Sequence, residues 1–167
     1  MEFQELHYVL ACDDSSMTAE TPYALRDYIR YFEQGLQNFG GHLNGIAEVP
    51  DELRAAGFED VTLTVHKCPM GPWPLDRRLR VCGDILRTVA MDGLRGMSAR
   101  PLGTGLGWTP LQIEMFLVDV RKAIMDSKIH TYLPYHVVYA RKPISEEKHQ
   151  HMSAPLGSMT ANGNKDD

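Results

Sequence analysis

Apolar positions along this chain repeat with two spacings, every second residue in some stretches and every third or fourth in others. Phe3 to Cys12 is short, rich in apolar residues and followed by Asp13-Asp14-Ser15-Ser16, which predicts a strand running into a polar loop. From Pro22 to Phe39 the residues Leu25, Tyr28/Ile29, Phe32, Leu36 and Phe39 recur at three and four. Thr21 and Pro22 serve as cap and first position and Gly40-Gly41 as terminator, so this stretch is an amphipathic helix. A shorter helix spans Pro50 to Ala56 and closes at Gly57. Val61 to Cys68 then alternates Val61, Leu63 and Val65 against Thr62, Thr64 and His66, a second strand. Pro69-Met70-Gly71-Pro72-Trp73-Pro74 holds three prolines, which remove backbone donors, and must be a loop. Two further helices follow. Leu75 to Leu94 places Leu79, Cys82, Ile85/Leu86 and Val89 on one face, and Pro110 to Asp126 opens on the capping box Thr109-Pro110-Leu111-Gln112. Tyr132 to Ala140 has apolar or aromatic residues on both faces, as an internal strand does.

The chain has 167 residues, of which 43% are hydrophobic and 23% charged, enough for one domain with its own core. Its net charge of −5 leaves no supplier of phosphate attraction, so nucleic acid is not an expected partner. Three cysteines, Cys12, Cys68 and Cys82, with no C-x-x-C pair favour free thiols in a reducing compartment. The N-terminus is acidic where a signal peptide is basic, and no apolar run approaches the ~18 residues of a membrane span. A cytoplasmic location follows as an expectation, with the nucleus as its alternative. After Pro143 the composition turns polar, which divides the chain into a domain over 1–143 and a disordered tail over 144–167.

Gly103-Thr104-Gly105-Leu106-Gly107 looks like a nucleotide loop, but Ser98-Ala99-Arg100-Pro101 is no strand to deliver it, so it reads as a linker. No Walker loop, H-E-x-x-H or G-x-S-x-G occurs. His149-Gln150-His151 sits in the polar tail without a third ligand, and no metal site is expected. His66 and Cys68 share a strand face, to meet a ligand or to fill space. Trp73, fixed between prolines, is either a ligand wall or a cap on the core. His42, His66 and His130 sit at chain reversals that could meet at one end of the sheet. They are the candidate proton carriers, although each alone also reads as structural.

Five segments together carry a resemblance. They are Ala55-Ala56-Gly57-Phe58-Glu59-Asp60-Val61; Gly71-Pro72-Trp73-Pro74; Leu106-Gly107-Trp108-Thr109-Pro110 with the helix that ends Asp126-Ser127-Lys128-Ile129-His130; Val137-Val138-Tyr139-Ala140-Arg141-Lys142-Pro143; and the opening Glu2-Phe3-Gln4-Glu5. In order and spacing they resemble the C-terminal half of fungal LaeA-like methyltransferases, over about residues 1–143. That resemblance implies an α/β fold: a small three-stranded mixed sheet, its last strand antiparallel between the other two, under a helical lid. In these enzymes the S-adenosylmethionine site is built on the first four strands, and none of those elements is recognisable here, so no cofactor is expected.

If the first two strands are parallel, their ends and the start of the third form one rim, where ligands of open α/β sheets bind. It would gather Asp13, His42, Asn44, His66, Met70, Trp73, His130 and Tyr132, with Tyr28 and Phe32 as pocket walls beneath the lid. Tyr28, Phe32, Asn44, Met70, Trp73 and Tyr132 are thus the candidate substrate-binding residues. The implied function is a truncated methyltransferase-like protein of secondary metabolism, unable to methylate alone, acting as a subunit or accessory protein. A stand-alone, cofactor-independent cyclase or isomerase in the same pocket is the alternative, and a fragment without function of its own a third reading. In the resembled fold the strand over residues 2–12 also pairs with a strand this chain lacks. Its open edge predicts a homo-oligomer or a hetero-complex.

Overall fold

The computed structural model describes residues 1–143; the expected tail and His149-Gln150-His151 lie outside the described residues. The sheet is organised around β4 (Thr131–Arg141), which takes β1 (Glu2–Leu6) and β2 (Ala11–Cys12) along one side and β3 (Glu59–Pro69) along the other. Gln4 and Thr64 both stand opposite Val137, on its two sides, and Ala11 stands opposite Tyr132. Every pairing is antiparallel, so β1 and β3 run the same way across β4 without touching.

The sheet therefore has four strands where three were expected, because the single strand over 3–12 breaks in two. Its partner at the break is Pro134, which has no N–H to give the ladder. His7 still donates its N–H to the Pro134 carbonyl at 2.8 Å, but Val9 then turns back to donate to the His7 carbonyl at 2.8 Å. Tyr8 leaves the ladder altogether and donates its N–H to Asn44 Oδ1 at 2.8 Å.

Four α-helices cover the sheet: α1 (Ala24–Gln37), α2 (Val49–Ala55), α3 (Arg77–Ser98) and α4 (Pro110–Met125). The α1 start lies two residues beyond Pro22, since the Thr21 hydroxyl accepts the Thr18 N–H at 2.9 Å instead of capping the helix. The α4 capping box forms as the sequence predicts, with the Thr109 N–H donating to Gln112 Oε1 at 2.8 Å. Asp76 caps α3 by accepting from the Arg78 and Leu79 N–H groups.

Beyond the expected end at Leu94, α3 continues to Ser98 and passes into a π-helical turn over Ala99–Gly105. The glycine run read as a linker is thus largely helical, and two of its features are packing requirements. A Cβ on Gly35 of α1 would meet the Pro101 carbonyl oxygen at 2.3 Å, and one on Gly105 would meet the Gly35 carbonyl oxygen at 2.6 Å. Gly107 ends the turn at φ +74°, a left-handed conformation that glycine adopts without strain.

Because successive side chains of a strand point to opposite faces, β4 serves two cores. Leu133 joins Leu25, Tyr28, Leu94, Leu102 and Leu117 beneath α1, α3 and α4. Val138 and Ala140, on the other face, join Ile46 and Leu53 beneath α2.

Candidate functional site

The larger core is not filled. Leu25, Tyr28, Ile29 and Phe32 recur at three and four on α1, so they line one side of a cavity of about 140 Å³. Ala90, Leu94 and Met97 of α3 close it from above, and Met70, held by its N–H to the Thr131 carbonyl at 2.9 Å, closes the sheet side. The lining is almost wholly apolar. Its polar groups are the phenols of Tyr8 and Tyr28, and burial raises the pKa of both, which keeps them neutral hydrogen-bonding groups. The Tyr28 hydroxyl is joined to the Ser98 hydroxyl by a hydrogen bond of 3.2 Å, and Phe32 lies against its ring at 5.7 Å between centroids.

A second group of side chains gathers where β2 ends and β4 begins. His130 Nδ1 lies 2.7 Å from Asp14 Oδ2, and the His130 N–H donates to Ser16 Oγ at 2.9 Å. Asp14 Oδ1 accepts the Ser16 N–H at 2.8 Å and the Cys12 thiol at 3.2 Å. Bonding to Ser16, then to His130, holds the Asp14 carboxyl well below the usual carboxylate range, so it stays ionised beside the imidazole. Trp73 stacks on His130 at 5.2 Å with 27° between planes, and its Nε1–H donates to the Thr131 carbonyl at 3.0 Å. Next to this lies a salt-bridged group: Asp13 accepts from the Tyr132 hydroxyl at 2.9 Å and pairs with Lys67, whose ammonium also sits 4.9 Å from the Tyr132 ring centre. The Lys67 hydrogen bond lowers the Asp13 pKa, and Asp13 in turn raises that of Tyr132.

Six of the nine candidate residues divide between these places. Tyr28, Phe32 and Met70 line the cavity. Trp73, His130 and Tyr132 belong to the strand-end cluster. Asn44 does neither; it braces Tyr8 through its carbonyl oxygen and donates to Glu33 at 2.9 Å, beside the cavity wall. Two histidines do not join the predicted rim. His42 is exposed and faces Glu48 at 3.8 Å, and His66 is exposed in mid-strand opposite Tyr135. His42 lies after α1, outside the sheet, and β3 runs three residues past His66 before it ends.

Sequence reading missed Asp14, Ser16 and Tyr8 as members of these groups. The first two sit in a run that any polar loop would show, and their partner His130 is more than a hundred residues away. Among the described residues no group of three or more His, Cys, Asp or Glu is placed to hold a metal ion, and no helix is long and apolar enough to cross a membrane.

The chain is similar to fungal LaeA-like methyltransferases. It is 26% identical over 147 residues to the methyltransferase pytC of Aspergillus terreus, covering 86% of this chain and 44% of pytC. It is 26% identical over 143 residues to the probable methyltransferase tdiE of Emericella nidulans, with the same coverage of both chains. It is 29% identical over 148 residues to the secondary metabolism regulator laeA of Gibberella zeae, covering 86% of this chain and 45% of laeA. The chain thus spans less than half the length of these curated relatives. No protein-family model and no solved structure matches it.

Proposed function

We propose that this chain is a methyltransferase-like protein of secondary metabolism that keeps a substrate pocket, does not methylate by itself, and works as a subunit or accessory protein. The observation that carries this reading is the apolar cavity beneath α1 and α3 in a chain that spans less than half of its methyltransferase relatives. The residues at hand do not fit S-adenosylmethionine. The one glycine-rich run lies in the π-helical turn, with Gly105 against the Gly35 backbone, where no ribose could approach. The strand-end carboxylates that a ribose would need are already bonded, Asp13 to Lys67 and Tyr132, Asp14 to Ser16 and His130.

The cavity's size and chemistry narrow its ligand. An engineered apolar cavity of roughly 150 Å³ takes up benzene, so the present one suits a single ring or an isoprenoid-sized branch of a larger metabolite. Tyr8 and Tyr28 would meet one neutral polar substituent of that group. Nuclear magnetic resonance titration with indole or phenol tests this, and the expected result is saturable shifts of Tyr28 and Leu94 signals. Filling the space by Ala90→Leu should remove them. An unperturbed spectrum at millimolar ligand would contradict the pocket.

The open edge supports the partner part of the reading. Met1 exchanges two hydrogen bonds with Ala140, so Phe3 and Glu5 also bond to β4, and Glu2, Gln4 and Leu6 aim their N–H and C=O groups away from it. The other outer strand, β3, is blunted by a bulge between Glu59 and Thr62 and by Lys67. β1 is therefore the edge proposed to take a partner strand.

The Asp14–His130 pair supports the second reading, a cofactor-independent cyclase or isomerase. A carboxylate on Nδ1 orients an imidazole to move a proton at Nε2, which has no partner among the described residues. In that reading His130→Asn abolishes turnover of the bound metabolite while Trp73 and the cavity remain intact; unchanged turnover would exclude it.

A further inference from the structure

We infer that Cys68 and Cys82 form an oxidation site, closing to a reversible disulfide that ties helix α3 to the end of β3. Their sulfurs lie 3.6 Å apart on separate elements, Cys68 opposite Leu133 next to the last residue of β3 and Cys82 in the second turn of α3. A disulfide needs about 2.05 Å between sulfurs, so the pair has to draw closer than its present 3.6 Å.

The backbone around the pair is already fixed in register. A Cβ on Gly83, beside Cys82, would meet the Gly71 carbonyl oxygen at 2.0 Å and Pro69 Cβ at 3.1 Å, so α3 sits on the loop after β3 with no slack. That loop carries Pro72 and Pro74 and follows directly on Pro69, the last residue of β3, so it resists rearrangement.

The two sulfurs have different environments, and this sets the order of events. Cys82 is exposed, whereas Cys68 is partly buried. Burial, and then the neighbouring Cys82 sulfur, push the Cys68 thiol up to about 12. Cys82 is accordingly the thiol that meets an oxidant in solution, and Cys68 the one that resolves it.

With a hydroperoxide as oxidant, the Cys82 thiolate attacks one peroxide oxygen and the O–O bond breaks. This leaves the Cys82 sulfenic acid, and the departing oxygen takes the thiol proton to become water or an alcohol. The Cys68 sulfur then attacks the Cys82 sulfur, the S–O bond breaks, and hydroxide leaves with the Cys68 proton as water. The two thiols lose two electrons and the peroxide gains them. Thiol reductants reverse the step by exchange.

Cys12 provides an internal control, because its sulfur is engaged elsewhere, 3.2 Å from both Asp14 Oδ1 and Ser16 Oγ. The test uses the whole chain, reduced and then exposed to a stoichiometric amount of hydrogen peroxide, with free thiols alkylated before non-reducing peptide mapping. The expected product is a Cys68–Cys82 cross-linked peptide with Cys12 alkylated, and amide exchange over the first turns of α3 slowed at least several-fold. In Cys68→Ser the Cys82 sulfenic acid should persist and react with dimedone, a signature that survives even if the variant's stability drops. Cross-links through Cys12, cross-links only between chains, or two alkylatable thiols at 68 and 82 after oxidation would each overturn the inference.

Discussion

His136 is buried on β4 with Nδ1 unpartnered among the described residues, and the His7 ring lies against it with centroids 5.1 Å apart. Burial first, and then the charge of His7, hold its pKa below the ordinary value. The unfolded chain therefore takes up a proton here at higher pH than the folded one. Stability is complete above about pH 6.5 and falls as the pH drops toward the lowered value. Urea unfolding followed across this window should show the fall, and His136→Phe should flatten it; an unchanged slope would assign the acid sensitivity to other groups. Trp73 poses a second residue-scale question, whether it walls a ligand or caps the core. It is half-buried, donates to a backbone carbonyl and stacks on His130. Trp73→Phe, which keeps the stack and loses the donor, should cost about 1 kcal/mol of stability. Trp73→Ala should cost less than the roughly 3–5 kcal/mol of a fully buried aromatic. Equal losses in denaturant titrations of the two variants would place the whole effect on the hydrogen bond. Such side chains were legible in sequence only by type. Trp73 stood out between prolines, but Asp14, its imidazole's support, was hidden because the pairing joins the two ends of the fold.

At the scale of elements, periodicity located the helices and the two long strands within a few residues, because their apolar faces repeat over many turns. It failed where a distant contact decides. Nothing local to residues 7–10 announces the break in the first strand, which follows from Pro134 on the facing strand. Nor does the run Gly103 to Gly107 announce that α1 needs room for its backbone. Three glycine substitutions separate packing from propensity. Gly35→Ala and Gly105→Ala push a methyl group into backbone within 3 Å and should destabilise by about 1–3 kcal/mol or more. Gly96→Ala, with nothing within 4 Å on the exposed side of α3, should stabilise by about 0.5–1 kcal/mol. Thermal denaturation of the three reports both signs, and a neutral Gly105→Ala would mean that the π-helical turn is not seated on α1. The edge of β1 yields a further prediction. Gln4→Pro removes an outward N–H without costing the ladder to β4, so it should lower the associated fraction in light scattering at unchanged thermal stability. A wild-type chain that stays monomeric at tens of micromolar would rule out the edge as a contact.

For the whole molecule, one strand feeding two cores explains why residues 1–143 hold a sheet with only three lanes: α1, α3 and α4 close one face at Leu133 and α2 the other at Val138. The resemblance to methyltransferases was legible in short motifs at the loop after β3, at the start of α4 and in β4. The cavity was legible only in part, since Tyr28 and Phe32 follow from the α1 repeat and Leu94 closes the expected α3, but Met97 lies past that expected end. The central claim is a pocket for a metabolite in a chain that cannot hold the methyl donor itself. Isothermal titration of S-adenosylmethionine into the chain tests it most directly. The account predicts no binding heat at millimolar donor with indole uptake retained, and a micromolar dissociation constant for the donor would contradict it.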